Sequence, residues 1–177
     1  VVGEEGFNTD NSIMARFDGD APVWILDPLD GTRNFSQGNP QFCVIVGYCI
    51  KKTTYLGWIY DPLNDDMFHA VQGMGAWCNN KPIDLHNPTK LFNMIGSVGK
   101  RRREYLKSYY GSKNKNIPNK LLRYRCIGLE YVDLVRGHLH FAEYQNLKPW
   151  DHAAGILFQR HPARRRVGAL LWAPVRP

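Results

Sequence analysis

Apolar residues along this chain come in short blocks separated by turn-forming residues, a pattern that predicts a fold built around a sheet with a few helices. Val23-Trp24-Ile25-Leu26 is a compact apolar run rich in strand formers, and Asp27-Pro28 ends it, because proline donates nothing to a ladder and restricts the residue before it. The strand therefore carries Asp27 at its tip. Residues 42–83 read as successive strands, interrupted by turn signals at Tyr60-Asp61-Pro62-Leu63-Asn64 and Asn79-Asn80-Lys81. Residues 1–22 read as a loop-rich approach to the first strand. His86 to Lys90 reads as a connector into a second half, starting at Leu91, with strands and helices of its own. There, residues 129–136 have helical apolar spacing and stop at Gly137, as expected of a glycine closing a helix. A helical turn is expected over residues 32–35 and a further helix over residues 151–158.

A length of 177 residues suits one domain with a real core, or part of a larger one, and the abundance of Trp, Tyr and Phe argues against disorder. No apolar run reaches the roughly 18 residues that a membrane-spanning helix needs. Cys43, Cys49, Cys78 and Cys126 show no C-x-x-C spacing, and an extended strand holds Cys43 too far from Cys49 to bridge. Four reduced, mostly buried thiols and a cytoplasmic location are expected. The formal charge of +7 is uneven. Five arginines lie at 160, 164, 165, 166 and 176, and no acidic residue follows Asp151.

Two acidic motifs carry the chemistry. In Asp27-Pro28-Leu29-Asp30-Gly31-Thr32, Pro28 fixes the chain direction so that the Leu29 carbonyl can point with the carboxylates of Asp27 and Asp30. Such hard oxygens suit magnesium, calcium or manganese and not zinc. The helical turn that opens at Gly31-Thr32 adds backbone N–H groups suited to phosphate. The second motif is Trp150-Asp151-His152-Ala153-Ala154-Gly155, and a weaker third is Val2-Gly3-Glu4-Glu5-Gly6. Each has a plain structural alternative: Asp-Pro and Asp-Gly as turn dipeptides with Thr32 as a helix cap, Asp151 as a cap over Trp150, and the paired glutamates as a solvated turn.

The three motifs in this order resemble the inositol monophosphatase family, whose pattern runs Gly-Glu-Glu, then Asp-Pro-(Ile or Leu)-Asp-Gly-Thr-x-Asn-Phe, then Trp-Asp-x-Ala-Ala-Gly. Asn34-Phe35, the run from Phe42 to Tyr48 and Gly73-Met74-Gly75-Ala76 extend the likeness, which covers residues 1–158. It implies a mixed α/β fold of stacked helix and sheet layers, and a magnesium-dependent phosphomonoesterase acting on a phosphorylated small molecule. By the resemblance, Glu4, Asp27 and the Leu29 carbonyl hold one Mg2+, while Asp27, Asp30 and Asp151 hold a second. Glu4 and the Thr32 hydroxyl orient or deprotonate the attacking water, and Asp30 with the N–H groups of Gly31 and Thr32 binds substrate. The partners implied are that substrate and, as an option, a second copy of the chain; a membrane is not among them.

The likeness lapses in places. Tyr144 stands where several members carry a glutamate that accepts from a sugar hydroxyl, and Glu143 sits one residue earlier. That shifts the expectation from inositol monophosphate to another polyol or sugar phosphate, fructose bisphosphate included, or a phosphoadenosine nucleotide. Residues 159–177 form a divergent basic tail, such as a frameshift or a genuine short tail would give. The family pattern puts helices and another acidic residue before Gly3 and strands after Phe158. The chain is therefore expected to be incomplete at both ends, poorly soluble and about a hundredfold slower than a restored version. An inactive remnant that binds metal or anions is the alternative. A third reading is a nucleic-acid-binding module, based on the basic segment from Lys100 to Arg125 with Tyr105, Tyr109, Tyr110 and Tyr124. His138 and His140, alternating on an expected strand, would share a face, but a zinc site there lacks further ligands.

Overall fold

The computed structural model describes residues 1–83, 89–110, 118–146 and 148–159. The basic tail, part of the connector and the middle of the basic segment, Tyr110's side chain included, lie outside the described residues.

Strict alternation of buried and half-buried positions makes residues 43–50 a strand with one face on a core, and this pattern governs the larger sheet. Its seven strands lie in chain order: β1 (Val2–Gly3), β2 (Val23–Asp30), β3 (Cys43–Ile50), β4 (Thr53–Asp61), β5 (Asp66–Val71), β6 (Gly75–Cys78) and β7 (Lys81–Pro82). Only β1 pairs parallel to its neighbour; the rest is an antiparallel meander. The β3–β4 turn is made by Lys51 and Lys52 at φ 48° and 60°. That turn carries no Gly or Asn to announce it. A second sheet of three parallel strands has the order β10 (Phe141–Ala142), β8 (Ile95–Ser97), β9 (Lys120–Leu122).

The expected loop-rich approach is corrected. Residues 1–22 hold β1, the helix α1 (Glu4–Thr9) and a 3-10 segment at Asn11–Asp18, whose entry is capped by Asp10 accepting from the Ser12 N–H. Neither piece fully buries a residue, so neither carries a continuous apolar stripe for the sequence to show. Asp27 also does not end its strand. β2 continues through Pro28 to Asp30, with Asp27 opposite Ile45 and Asp30 opposite Cys43, so that the two residues between them form an irregularity. A bulge tolerates proline because it asks for no ladder N–H there.

Helix α2 (Thr32–Ser36) follows β2 directly, and α3 (Lys100–Tyr110) follows β8. Two further helices build the core. α4 (Ile127–Arg136) ends at Gly137 with φ 79°, and α5 (Pro149–Gln159) lies against the strands of the larger sheet and against α4. The seat of α5 is cut by small residues. Gly47 and Gly57 face each other across β3 and β4, and a Cβ at Gly57 would stand 2.8 Å from the Ala154 Cα. The residues His138 and His140 precede β10 and share no strand face: His138 Nδ1 pairs with Asp133 at 3.1 Å, and His140 Nδ1 accepts from the Ile95 N–H at 2.9 Å. No helix among the described residues is long and apolar enough to cross a membrane.

Between α4 and the smaller sheet sits a buried carboxyl. Glu130 accepts from the Ser97 hydroxyl at 2.5 Å, with Tyr144, the Tyr124 backbone and the more distant Asp30 also facing it. Burial pushes it up to about 7, against which the Ser97 hydroxyl pulls down. Because its folded value lies above the ordinary 4.5, Glu130 contributes stability that is full below that value and is lost as pH rises through about 7.

Urea unfolding should therefore show this group's share of stability falling by about 2 kcal/mol between roughly pH 5.5 and 8.5, and Glu130→Gln should remove that slope. A slope unchanged in the variant would refute the assignment. Gly57→Ala should cost about 1–3 kcal/mol in the same measurement, because Ala154 backbone cannot yield as a side-chain tip could.

Candidate active site

Four carboxylates reach one region from three elements. Asp27 and Asp30 flank the irregularity in β2, Glu4 opens α1, and Asp151 lies in the first turn of α5. Two of the plain alternatives fall away. Asp151 is the third residue of its helix and not its cap, and the cap of α2 is Gly31, leaving Thr32 as first helical residue. Glu4 is half-buried, whereas Glu5 is exposed, which separates the two glutamates that the sequence left side by side.

Packing explains the convergence. Phe7 of α1 meets Trp150 of α5 with ring centroids 5.2 Å apart, and the Lys148 ammonium lies 4.6 Å from the Phe7 ring. Glu4 and Asp151 ride on this contact. Asp30 is tied to α4: its Oδ2 accepts from the Gly128 N–H at 2.6 Å and from the Cys43 thiol at 3.7 Å. Asp27 Oδ1 accepts from the Leu29 N–H at 3.0 Å, and the Leu29 carbonyl accepts from the Thr32 hydroxyl at 2.9 Å. At Gly31, φ is 88° and a Cβ would stand 2.6 Å from the Gln41 carbonyl oxygen, so only glycine turns the chain here.

The electrostatics are one-sided. Asp27 is 1% exposed, and burial pushes it up to about 7, with the Leu29 N–H opposing and Asp30, Glu4 and Asp151 adding. Asp151 is likewise pushed up to about 7, by burial and then by Asp30 and Glu4. Asp30 and Glu4 are raised too, burial again leading. None of the four forms an ion pair with a lysine or arginine among the described residues. Oxygen ligands with uncompensated negative charge fit a hard divalent cation. Among the described residues no three of these carboxylates approach within 4.8 Å of one another; the trio that does is Asp30, Cys43 and Cys126. The two thiols lie 3.6 Å apart, and all four cysteines are free.

A cavity of about 300 Å³ has Ser97, Arg123, Arg125, Glu143, Tyr144 and Asn146 in its wall and none of the four carboxylates in its lining. Glu143 does not offer a free acceptor in place of the family's glutamate. Arg102 grips both its oxygens, at 3.0 Å from Nε and 3.1 Å from an Nη. Tyr144 is buried against Tyr131 and His152. Sequence reasoning did not reach Gly128, whose N–H holds Asp30, or Asn34 as a buried brace. The Asn34 amide donates to the carbonyls of Gln41, Tyr124 and Arg125 at 2.8, 2.9 and 3.3 Å. An asparagine between Arg33 and Phe35 gave a hint only through its place in the motif.

Comparison with known proteins agrees with this architecture. The family model described as "Inositol monophosphatase family" matches residues 1–159. Inositol monophosphatase 2 of Solanum lycopersicum is 35% identical over 144 residues, covering 78% of this chain and 54% of the relative. Inositol monophosphatase-II from Staphylococcus aureus MSSA476 is 28% identical with a TM-score of 0.72, covering 90% of this chain and 61% of that one. A calcium-bound IMPase family protein from Staphylococcus aureus is 25% identical with a TM-score of 0.72, covering 90% and 59%. The chain thus spans a little over half the length of the curated relatives it matches. By the family match over residues 1–159, this chain belongs to the inositol monophosphatase family.

Proposed function

We propose that this chain carries a magnesium-dependent phosphomonoesterase site that hydrolyses a phosphorylated small molecule by activating water. The observation that supports it most is the convergence of Glu4, Asp27, Asp30 and Asp151 with no cationic side chain paired to them among the described residues. In this reading Asp27 is shared. With Asp30 and Asp151 it would hold one Mg2+, and with Glu4 and the Leu29 carbonyl it would hold another. A divalent cation bound there supplies Lewis-acid charge to the phosphoryl group and to the attacking water. The calcium in the Staphylococcus aureus relative supports a divalent ion of this type.

The chain's own groups do the rest. The Thr32 hydroxyl commits its proton to the Leu29 carbonyl, so its oxygen is left to accept from a water and fix its orientation. Glu4 is half-buried, which leaves its carboxylate open to a water that it could orient or deprotonate. The backbone N–H groups of Gly31 and Thr32 receive the phosphate, and Asp30 meets it only through a bound cation. Arg102 neutralises Glu143 and Tyr144 fills the place of the usual acceptor, which supports a substrate other than inositol monophosphate. The four free thiols support a cytoplasmic location.

Asp27→Asn and Asp151→Asn should each weaken magnesium binding by at least about tenfold in titration calorimetry, since a hard cation loses a charged oxygen in both. Asp27→Asn should leave the metal-free fold at least as stable, because it removes a charge that burial disfavours. Magnesium affinity unchanged in both variants would remove the site. Thr32→Ala should lower magnesium-dependent release of phosphate from p-nitrophenyl phosphate by about a hundredfold to ten-thousandfold, and activity equal to the parent would exclude Thr32 from positioning water.

A further inference from the structure

The two buried thiols beside Asp30 take no part in the hydrolase reading. Cys43 opens β3, Cys126 immediately precedes α4, and both side chains are fully buried. Their sulfurs lie 3.6 Å apart and Cys43 Sγ lies 3.7 Å from Asp30 Oδ2, so that both sulfurs and a carboxylate oxygen fit within 4.8 Å of one another. No disulfide joins the pair.

Those spacings match the edges of a coordination tetrahedron. Zinc with bonds of about 2.3 Å to sulfur and about 2.1 Å to oxygen sets two sulfurs about 3.8 Å apart, and a sulfur about 3.6 Å from the oxygen. Little movement is needed. The frame is also held from several sides: the Gly128 N–H clamps Asp30 Oδ2 at 2.6 Å, a Cβ at Gly128 would stand 2.4 Å from Cys43 Sγ, and one at Gly31 would stand 3.3 Å from Cys126 Cβ. Glycine at both positions leaves the sulfurs their room. Asp30, at 8% exposed, is the member of the trio that meets solvent, and it leads inward to the thiols.

We propose that Asp30, Cys43 and Cys126 form a binding site for a thiophilic divalent cation such as zinc, adjoining the carboxylate cluster. Thiolate ligands select zinc over magnesium, whereas Glu4, Asp27 and Asp151 offer only hard oxygens. Binding replaces the two thiol protons, which leave to solvent, while two Zn–S bonds and one Zn–O bond form and no electron is transferred. A water completes the tetrahedron. On the hydrolase reading above, Asp30 also serves magnesium, so the two ions compete for one carboxylate; the thiol site itself does not depend on that reading.

Cobalt(II) is the probe, because a thiolate-to-cobalt charge-transfer band needs sulfur ligands and cannot come from the carboxylates alone. With reductant present and magnesium absent, the parent should develop this band with about one equivalent of Co2+ and lose it when Zn2+ is added. Cys126→Ala and the size-conserving Cys126→Ser should each abolish the band and weaken the tightest Zn2+ binding at least about tenfold in titration calorimetry, with circular dichroism reporting an intact fold. Cys78→Ala removes a thiol elsewhere and should keep both. A parent without the band would overturn the proposal whatever the variants do, and so would a band kept in either folded Cys126 variant. If hydrogen peroxide then joined Cys43 to Cys126 in a parent that gave no band, the pair would be assigned to redox chemistry instead. The spectrum needs no turnover: a band in a protein that releases no phosphate would sink the hydrolase reading alone, and phosphate release without a band would sink this one alone.

Discussion

Uncompensated negative charge buried at the irregular end of β2 is the constraint around which the described structure is organised. Asp27 and Asp30 are withdrawn from water with Glu4 and Asp151 nearby, and every one of them is pushed toward its neutral form. Left alone such a cluster destabilises the fold. It persists because the framework around it is stiff: the Gly128 N–H clamps Asp30, the Leu29 N–H holds Asp27, and α5 is sunk onto β3 and β4 against facing glycines. A hard cation turns the same repulsion into affinity.

Charge of the opposite sign is kept apart from it with similar economy. Lys100 and Arg103 of α3, with Arg123 and Arg125, line cavities beside Asn34 and Glu143, and Arg102 of the same helix is bound to Glu143. Arg136 serves the fold, pairing with Asp66 at 2.8 Å over the Phe68 ring.

Much of this was legible in the residues. The acidic motifs, the strands between 42 and 83, the helix stopping at Gly137 and the free thiols all follow from local chemistry, and the resemblance they carry agrees with the family match. Errors fell where local signals are weak or where tertiary context overrides them. Pro28 looked like a strand end because a ladder rejects proline, yet a bulge admits it. Residues 1–22 looked like loop because neither α1 nor the 3-10 segment fully buries a residue, so neither needs a continuous apolar stripe.

The sequence by itself determined which chemistry is on offer: hard oxygens at Asp27, Asp30 and Asp151, a glycine turn at Gly31 and a hydroxyl at Thr32, because short-range geometry and ligand type reside in neighbouring residues. Only the tertiary structure decided which groups meet. Glu4 reaches the cluster through the packing of Phe7 on Trp150, Glu143 is withdrawn by Arg102, and Arg125 is aimed by Asn34 from 91 positions away. Those pairings join residues distant in the chain, and burial, which sets the charge state of each carboxyl, exists only once the layers have closed over them.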